Sequence, residues 1–402
     1  MLIEPKVRGF ICTSAHPTGC FSAVKHQIDY VKSQGTFKGP KNVLIIGAST
    51  GYGLASRIVA NFGCNAKTIG VFFEKAASEK RTASPGWYNT AAFEQCAHAE
   101  NKYAKSINGD AFSDEIKQET AALIKQDLGK IDCVIYSLAS PRRKDPKTET
   151  IYISALKPID HTFESKTVDP LTGEIKIVKL APATTEDIQN TIAVMGGEDW
   201  EMWIDFLAER NLLANPFLTV AYSYIGPELT HAIYKEGTIG QAKKHLHHTA
   251  EILSKKYKGQ GRALISINKA VVTQASSAIP VVPLYMSILF KLMKEKNIHE
   301  GCIEQMERLF KENLYASVAA NLDNESTIRL DNLEMRHDIQ QKVFELWQKV
   351  TTENIHELTD LKAYQTDFYH LFGFKFPEVN YREEVDAQVN IPSLDKETET
   401  KL

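Results

Sequence analysis

Little in this chain marks a metal protein, a disulfide scaffold, a membrane protein or a nucleic-acid binder. Its six cysteines (Cys12, Cys20, Cys64, Cys96, Cys133 and Cys302) are scattered, with no CxxC pair and no zinc-finger spacing. That pattern points to reduced thiols in a cytoplasmic protein. His245 and His248 share a helix face, but His247 points elsewhere, and no carboxylate or cysteine beside them completes a ligand set. His16 and Cys20 sit in a turn with Pro17 and Gly19, again without a second pair, so no metal is expected. The start, MLIEPKVRGF, lacks the apolar region of a signal peptide. The longest apolar run, Ala275 to Phe290, is interrupted by Pro280 and Pro283 and is too short to span a bilayer. A formal charge of −3 gives no electrostatic case for nucleic acid or an anionic membrane as partner. HExxH is missing and no nucleophile elbow is expected, which leaves a hydrolase little support. Repeats are absent, and only the polar end, from about Glu384 to Leu402, reads as frayed.

With 43% hydrophobic and 24% charged residues, the chain has an ordinary globular composition. Length alone suggests two or three domains, but the patterns describe one elaborated core over residues 1–402. Residues 1–40 form an extension, with an extended stretch Val7–Thr13 and a helix from about Ser22 to Gln34. Residues 41–140 carry the nucleotide signal. VLIIG is a continuous apolar strand, as a parallel sheet covered on both faces requires. It runs into Gly47-Ala48-Ser49-Thr50-Gly51-Tyr52-Gly53 and then the helix LASRIVANFG. Glycines at that spacing permit a tight turn and close approach of a pyrophosphate to helix N-terminal amides. The next strand, Thr68–Phe73, ends in Glu74. A carboxylate there accepts from ribose hydroxyls and disfavours a 2′-phosphate, which selects NADH over NADPH; Lys75, Lys80 and Arg81 partly relax that preference. A third strand, Ala104–Asn108, leads to Asp110, which either meets the adenine or caps the helix starting near Ser113. A fourth, Cys133–Ser137, delivers Leu138 and Ala139 to the crevice edge. Arg142, Arg143 and Lys144 then read as a solvated loop, or as a receptor for an anionic handle such as a phosphopantetheine phosphate.

Residues 141–200 break the alternation. Thr162–Lys166 and Glu174–Lys179 read as a hairpin around the turn Asp169–Gly173. A helix, Thr185–Val194, follows, with Thr184 and Asp187 as its cap. Glu198 and Asp199 fit a solvated turn or a catalytic pair. The segment 201–300 holds the stretch on which the chain is organised, YSYIGPELTHAIYKEGTIGQAKKHL, from Tyr222 to Leu246. Tyr234 and Lys243 are nine positions apart, which on one unbroken helix is about 900° of turn and places them on opposite faces. Pro227 suits a helix start, Gly237 suits a left-handed helix end, and Thr238 suits the cap of a second helix with the stripe Ile239, Ala242, Leu246, Ala250 and Leu253. The break brings phenol and ammonium to one cleft. Such a phenol donates to a developing oxyanion, and the cation lowers its pKa and holds a cofactor hydroxyl. The strand Ala263–Asn268 brings Thr273 and Gln274 to the crevice, with the polarity to meet a nicotinamide amide or a phosphate. The helix Pro283–Lys294 reads as core or as the wall of an acyl pocket. Residues 301–402 form a helical segment (Glu300–Glu312, Asn332–Val350, Thr359–Phe372) without a catalytic motif. The fold class is therefore α/β: a Rossmann-type, doubly wound parallel sheet with a hairpin insertion and added C-terminal helices.

Taken together, GASTGYG, Glu74, MGGEDW, YSYIGPELT, the Tyr-x8-Lys spacing and NKAVVTQASSAIP make the chain resemble the bacterial trans-2-enoyl-CoA reductases, also called V-type enoyl-acyl-carrier-protein reductases. The resemblance covers nearly the whole chain, and the Tyr-x8-Lys spacing is specific to it. It implies a short-chain-dehydrogenase-like monomer that uses NAD(H) to reduce the C2–C3 double bond of an enoyl thioester carried on acyl carrier protein or coenzyme A. It implies that Gly47 to Tyr52 hold the pyrophosphate and that Phe73 and Glu74 meet the adenosine ribose. Asp110 and Ala111 would flank the adenine, Leu138 and Ala139 the nicotinamide, and Val272, Thr273 and Gln274 would complete the cofactor site. Tyr234 becomes the proton donor, Lys243 a cofactor-binding cation and Tyr224 a substrate contact. Two other readings use the same residues: a related NADH-dependent ketone reductase or sugar epimerase, and a non-catalytic NAD(H) sensor.

Overall fold

Val43, Leu44, Ile45 and Ile46 are all fully buried, as an unbroken apolar strand requires when both faces are covered. The computed structural model describes residues 1–9, 11–138, 140–316 and 322–395. Seven parallel strands form the central sheet: β1 (Asn42–Ile46), β2 (Lys67–Phe72), β3 (Ala104–Asn108), β4 (Ile131–Tyr136), β5 (Leu213–Ser223), β6 (Gly261–Ile267) and β7 (Thr327–Arg329). Their order is β3-β2-β1-β4-β5-β6-β7, and every pairing is parallel. The order reverses between β1 and β4, the position at which a doubly wound sheet opens its ligand crevice.

Alternate residues of β1 feed opposite cores. Val43 and Ile45 pack with helices α1 (Pro17–Ser33), α2 (Gly51–Ile58), α3 (Pro85–Ala99) and, further along the chain, α9 (Cys302–Arg308). Leu44 and Ile46 pack with α4 (Asp114–Asp127), α6 (Glu198–Glu209) and α7 (Thr238–Lys256). Fully burying one such aliphatic side chain contributes about 1.5–3 kcal/mol. Between α4 and α6 along the sequence, α5 (Thr185–Met195) begins with a reciprocal cap: Thr184 Oγ1 accepts from Asp187 N–H at 3.0 Å, and Asp187 accepts from Thr184 N–H at 2.9 Å.

The expected hairpin is present as Phe163–Val168 paired with Ile175–Leu180. A second hairpin, Arg142–Lys144 with Ile151–Ile153, takes the place of the expected solvated basic loop. Arg143 is buried, donating to Glu198 at 2.6 Å and to Ala193 O at 2.8 Å; its alternation in a strand turns it inward while Arg142 and Lys144 stay exposed. The larger hairpin is clamped to a third apolar cluster built from α8 (Val282–Glu295), α10 (His337–Lys349) and α11 (Leu361–His370). Lys166 donates to the carbonyls of Trp347, Gln348 and Val350 at 3.0–3.2 Å, satisfying the open C-terminal end of α10. Thr167 accepts from Val281 N–H at 3.2 Å, where the chain takes φ +76° at a β-branched residue.

Three expectations fail here. The last quarter is not wholly helical, because β7 adds a short seventh strand of three residues, too few to leave an apolar pattern. The helix in the extension begins at Pro17 rather than Ser22, with His16 Nδ1 accepting from Gly19 N–H at 3.3 Å as its cap. The tail is docked as far as residue 395. Tyr88 donates to Ala387 O, Trp87 donates to Val389 O, Ile391 is buried, and Ser393 bonds the buried Glu94 through both N–H and Oγ. The rest of the stretch read as frayed, 396–402, lies outside the described residues.

Ending the chain after residue 386 should therefore cost about 3 kcal/mol or more, since it exposes the Ile391 site and strips two bonds from a buried carboxylate. A chemical or thermal melt checks this; an unchanged midpoint would mean the tail is not bound.

Candidate active site

At the end of β1 the backbone turns through Gly47 at φ +86°, where a Cβ would lie 2.2 Å from Ser137 O. Only glycine fits that approach. A Cβ on Gly53 would meet Gly47 O at 1.9 Å, so the start of α2 is pressed onto the turn. Gly47 and Ala48 spend their amides on Val71 O at 2.9 and 3.0 Å, and Ala48 is core. Ser49 donates to Glu74 Oε1 at 2.8 Å, and Asn89 donates to Ser49 O at 3.2 Å. Gly47–Gly51 does spell G-x-S-x-G, but the Ser49 hydroxyl serves a carboxylate and not a histidine, so no nucleophile is built there.

Glu74 stands just past β2, its backbone gripped by Asn108 in two bonds of 2.9 and 3.1 Å. Burial raises its carboxyl above the ordinary value, opposed by hydroxyls of Ser84 and Ser49. A Cβ on Gly86 would sit 2.0 Å from Glu74 Oε1, so glycine leaves the carboxylate its place. The helix cap nearby is Ser113, accepting from Ile116 N–H at 3.2 Å. Asp110 instead takes Phe112 N–H at 3.0 Å.

These residues open on one cavity of about 570 Å³ at the strand ends, within the range of small-molecule sites. Gly47, Ser49, Thr50, Gly51 and Tyr52 line it beside Phe73 and Glu74. Asp110, Ala111 and Leu138 line the next wall, and Thr273 and Gln274 the far one. Ala48 and Val272 do not reach it with side chains; both belong to apolar clusters. Ala139 lies outside the described residues. The Tyr52 hydroxyl is already committed to Lys269 O and Gln305, so its side chain has no proton left for a phosphate.

Tyr224, Tyr234 and Lys243 line the same cavity. The break that brings the last two together differs from the expected one. Gly237 has φ −86° and is the N-cap of α7, not a left-handed helix end. Its lack of a side chain matters for space, since a Cβ would lie 2.6 Å from Ile233 O and 2.8 Å from Lys157 O. Thr238 is the first helical residue and does not cap; its hydroxyl joins Ala155 O and accepts from Lys157 N–H at 3.2 Å. The stripe Ile239, Ala242, Leu246, Ala250 and Leu253 is buried as expected.

Tyr234 stands edge-on to Tyr224, ring centroids 5.1 Å apart at 77°. Burial pushes the Tyr234 phenol up, and no cation pulls it down, which corrects the expectation that Lys243 lowers it. The amine donates instead to Tyr222 O at 3.2 Å. Burial in turn lowers Lys243 to about 8. The pair is a half-buried neutral phenol and a cation that loses its proton readily.

Four further features were not legible. Asp199, open as a solvated turn, is 2% exposed; it accepts from Lys117 at 2.8 Å and from Tyr136 at 3.0 Å. Lys117 also holds the carbonyls of Ala111 and Phe112 at 3.1 and 3.0 Å, which fixes the wall behind Asp110. Ser223 and Asn268 line the cavity at the ends of β5 and β6, and Ser223 Oγ and Asn268 Nδ2 are buried with no hydrogen-bond partner among the described residues. Glu334, from the segment without a motif, bonds Tyr224 at 3.1 Å. For Asp199 and Glu334 the partners lie far off in the chain, 82 residues away for Lys117 and 110 for Tyr224. Of the three histidines on α7, His245 is committed to the fold, its Nδ1 accepting from Gly197 N–H at 3.0 Å, while exposed His248 meets Glu251 at 3.4 Å. No cluster of three or more metal-ligating side chains occurs among the described residues, and none of their helices is long and apolar enough to cross a membrane.

Fold and cavity define a Rossmann-type α/β protein with a phenol–amine pair at its crevice. Residues 81–315 match the catalytic region of trans-2-enoyl-CoA reductase, residues 2–79 match its NAD(P)H binding domain, and residues 322–385 match a segment described as the enoyl reductase FAD binding domain. The chain belongs to the trans-2-enoyl-CoA reductase family. It is 58% identical over 395 residues to the enoyl-acyl-carrier-protein reductase (NADH) of Flavobacterium johnsoniae, covering 98% of this chain and 100% of that one. With the protein of the same name from Coxiella burnetii it shares 58% over 398 residues, 98% of each chain. The crystal structure of Treponema denticola trans-2-enoyl-CoA reductase in complex with NAD superposes with a TM-score of 0.94 at 50% identity, covering 96% of this chain and 98% of that one. The Clostridium acetobutulicum enzyme in complex with NADH gives 0.95 at 44%, covering 97% and 100%. The residues of 322–385 do not fit a flavin. Their one glycine, Gly373, packs on the backbone of His16 and Cys20, and no strand there runs through a glycine turn into a helix.

Lys243 should be an ammonium at neutral pH and lose its charge as pH rises through about 8. An anionic dinucleotide should then bind progressively less tightly above that pH. Fluorescence titration of NADH from about pH 6.5 to about 9.5 should show this weakening in the wild type and not in Lys243→Met. The same weakening in both would locate the titrating group elsewhere.

Proposed function

We propose that the protein reduces the C2–C3 double bond of trans-2-enoyl thioesters with NADH, and that Tyr234, Lys243 and Tyr224 carry the chemistry in a cofactor site ringed by the glycine turn and Glu74. The observation that carries this reading is convergence: a phosphate-type turn, a ribose-type carboxylate and a phenol–amine pair open on one cavity. The turn fits a dinucleotide, since Gly47 and Gly51 both take positive φ and leave room beside the N-terminus of α2. Because Gly47 and Ala48 have used their amides, pyrophosphate contacts fall to the backbone from Ser49 to Tyr52. Glu74, with Phe73 beside it, accepts from the ribose hydroxyls and repels a 2′-phosphate. Asp110 and Ala111 border the adenine, while Leu138, Thr273 and Gln274 border the nicotinamide end, with Val272 supporting that wall from the core and Ala139 continuing it.

Bound NADH supplies the hydride that adds at C3 of the enoyl thioester. Negative charge then develops on the thioester oxygen. Tyr234, kept neutral by burial, donates a hydrogen bond to that oxygen, and Tyr224 stands against it as a substrate contact; with Tyr234 as the proton donor, replenished from solvent, C2 is then protonated and the enolate becomes the saturated thioester. Such a donor is typically worth about 10²–10³ in rate. Lys243 holds the cofactor from the other side of the pair. Val282, Met286 and Ile279 give the cavity an apolar wall suited to an acyl chain. We further read the chain as one elaborated Rossmann domain, acting as a cytoplasmic monomer on thioesters of acyl carrier protein or coenzyme A.

NADH oxidation followed at 340 nm, with crotonyl-CoA and with a long-chain enoyl thioester, tests the reading. Turnover is expected with NADH, and kcat/KM should be at least about tenfold lower with NADPH. Tight NADH binding without turnover of either thioester would contradict it.

A further inference from the structure

Glu334 is fully buried, 110 residues from Tyr224 in sequence, and part of none of the motifs. Its carboxylate accepts three hydrogen bonds, from donors on three separate elements. Oε1 accepts from Tyr224 Oη at 3.1 Å and from Tyr285 Oη at 2.6 Å; Oε2 accepts from Ala270 N–H at 2.7 Å. Gln340 steadies the arrangement from α10, donating to Glu334 O at 2.7 Å and to Tyr285 Oη at 3.1 Å. A buried carboxylate is retained only when such bonds compensate its desolvation. Burial raises the carboxyl above its ordinary value, and the three donors around it oppose that by favouring the ionised form. Lys269, buried beside it with its amine on Ala270 O at 2.8 Å, adds to that preference.

The positions of the three donors give the arrangement its meaning. Tyr224 leaves β5 into the cavity and meets Tyr234 edge-on. Ala270 opens the loop from β6 to Thr273 and Gln274, on the cofactor side. Tyr285 belongs to α8, which supplies Met286 to the apolar wall. One side chain thus ties the phenol, the cofactor loop and the acyl wall to a common point.

We propose that Glu334 is a positioning residue for the enoyl reduction, fixing the Tyr224 hydroxyl and ring against Tyr234 so that the substrate carbonyl meets a pre-set pair of phenols. It acts through Tyr224 and does not touch substrate; the proposal rests on Tyr224 being a substrate contact. A misplacement of this kind is paid in turnover rather than in cofactor affinity. Glutamine keeps the shape but cannot accept from all three donors, because its amide nitrogen faces either Ala270 N–H or the two phenols.

A double-mutant cycle with crotonyl-CoA and NADH separates this role from a structural one. Glu334→Gln should lower kcat at least about tenfold while the NADH dissociation constant stays within about twofold. Tyr224→Phe should show the same split, and the double variant should be no more than about twofold worse than the poorer single one. Glu334→Asp, which keeps the charge but draws it back, should recover part of the loss; it also replaces Glu334→Gln in the cycle if that variant does not fold. Multiplying losses, or weaker NADH binding matching the fall in kcat, would overturn the proposal, because Glu334 would then act through the Ala270 loop or through general stability. Full turnover by Tyr224→Phe would remove its premise and overturn it as well. Absence of turnover in the wild type would instead count against the enoyl reductase reading itself.

Discussion

Gly47 and Ser137 leave neighbouring strands so close together that a single methyl group on Gly47 would reach 2.2 Å from the Ser137 carbonyl oxygen. The rest of the site hangs on that contact. It fixes the turn between β1 and α2, and the turn reaches out to two other strand ends. Ser49 ties it to Glu74 beyond β2, and Tyr52 ties it to Lys269 beyond β6. From Lys269 the chain passes to Ala270, whose amide is held by Glu334 together with the Tyr224 hydroxyl. A chain of hydrogen bonds therefore connects the glycine turn to the phenols, and a shift at one end has few places to be absorbed.

Desolvation sets the chemical character of the pair. A phenol half-buried against another ring stays protonated, and an amine in the same cavity gives up its charge near neutral pH more easily than in water. Tyr234 is thus suited to donate and not to act as a phenolate. Its acidity is left for the substrate's own developing charge to draw out, and the protein has not lowered it in advance.

The sequence made most of the fold legible, because its signals are local. An apolar strand meeting a glycine turn, a carboxylate at the next strand end and a proline–glycine break before Lys243 each occupy a few consecutive residues. The hairpin around Asp169–Gly173 and the Thr184–Asp187 cap could be read in the same way. What stayed hidden depends on partners distant in the chain. Arg143 reads as one of three exposed bases until a strand turns it onto Glu198. Asp199 looks solvated until Lys117, 82 residues away, is placed beside it. Glu334 has no local pattern at all. Gly237 shows a subtler limit: the sequence locates the break correctly, but the glycine is required by a crowded approach to Lys157 and not by a left-handed backbone.

The most direct test of the central claim is the behaviour of Tyr234→Phe in single-turnover and binding measurements with NADH and crotonyl-CoA. The phenylalanine keeps the ring against Tyr224 and removes only the donor. The donor role of Tyr234 requires NADH binding close to wild type and a rate of double-bond reduction lower by about 10²–10³. A wild-type rate in this variant would contradict it, since another group would then have to meet the charge that develops on the thioester oxygen.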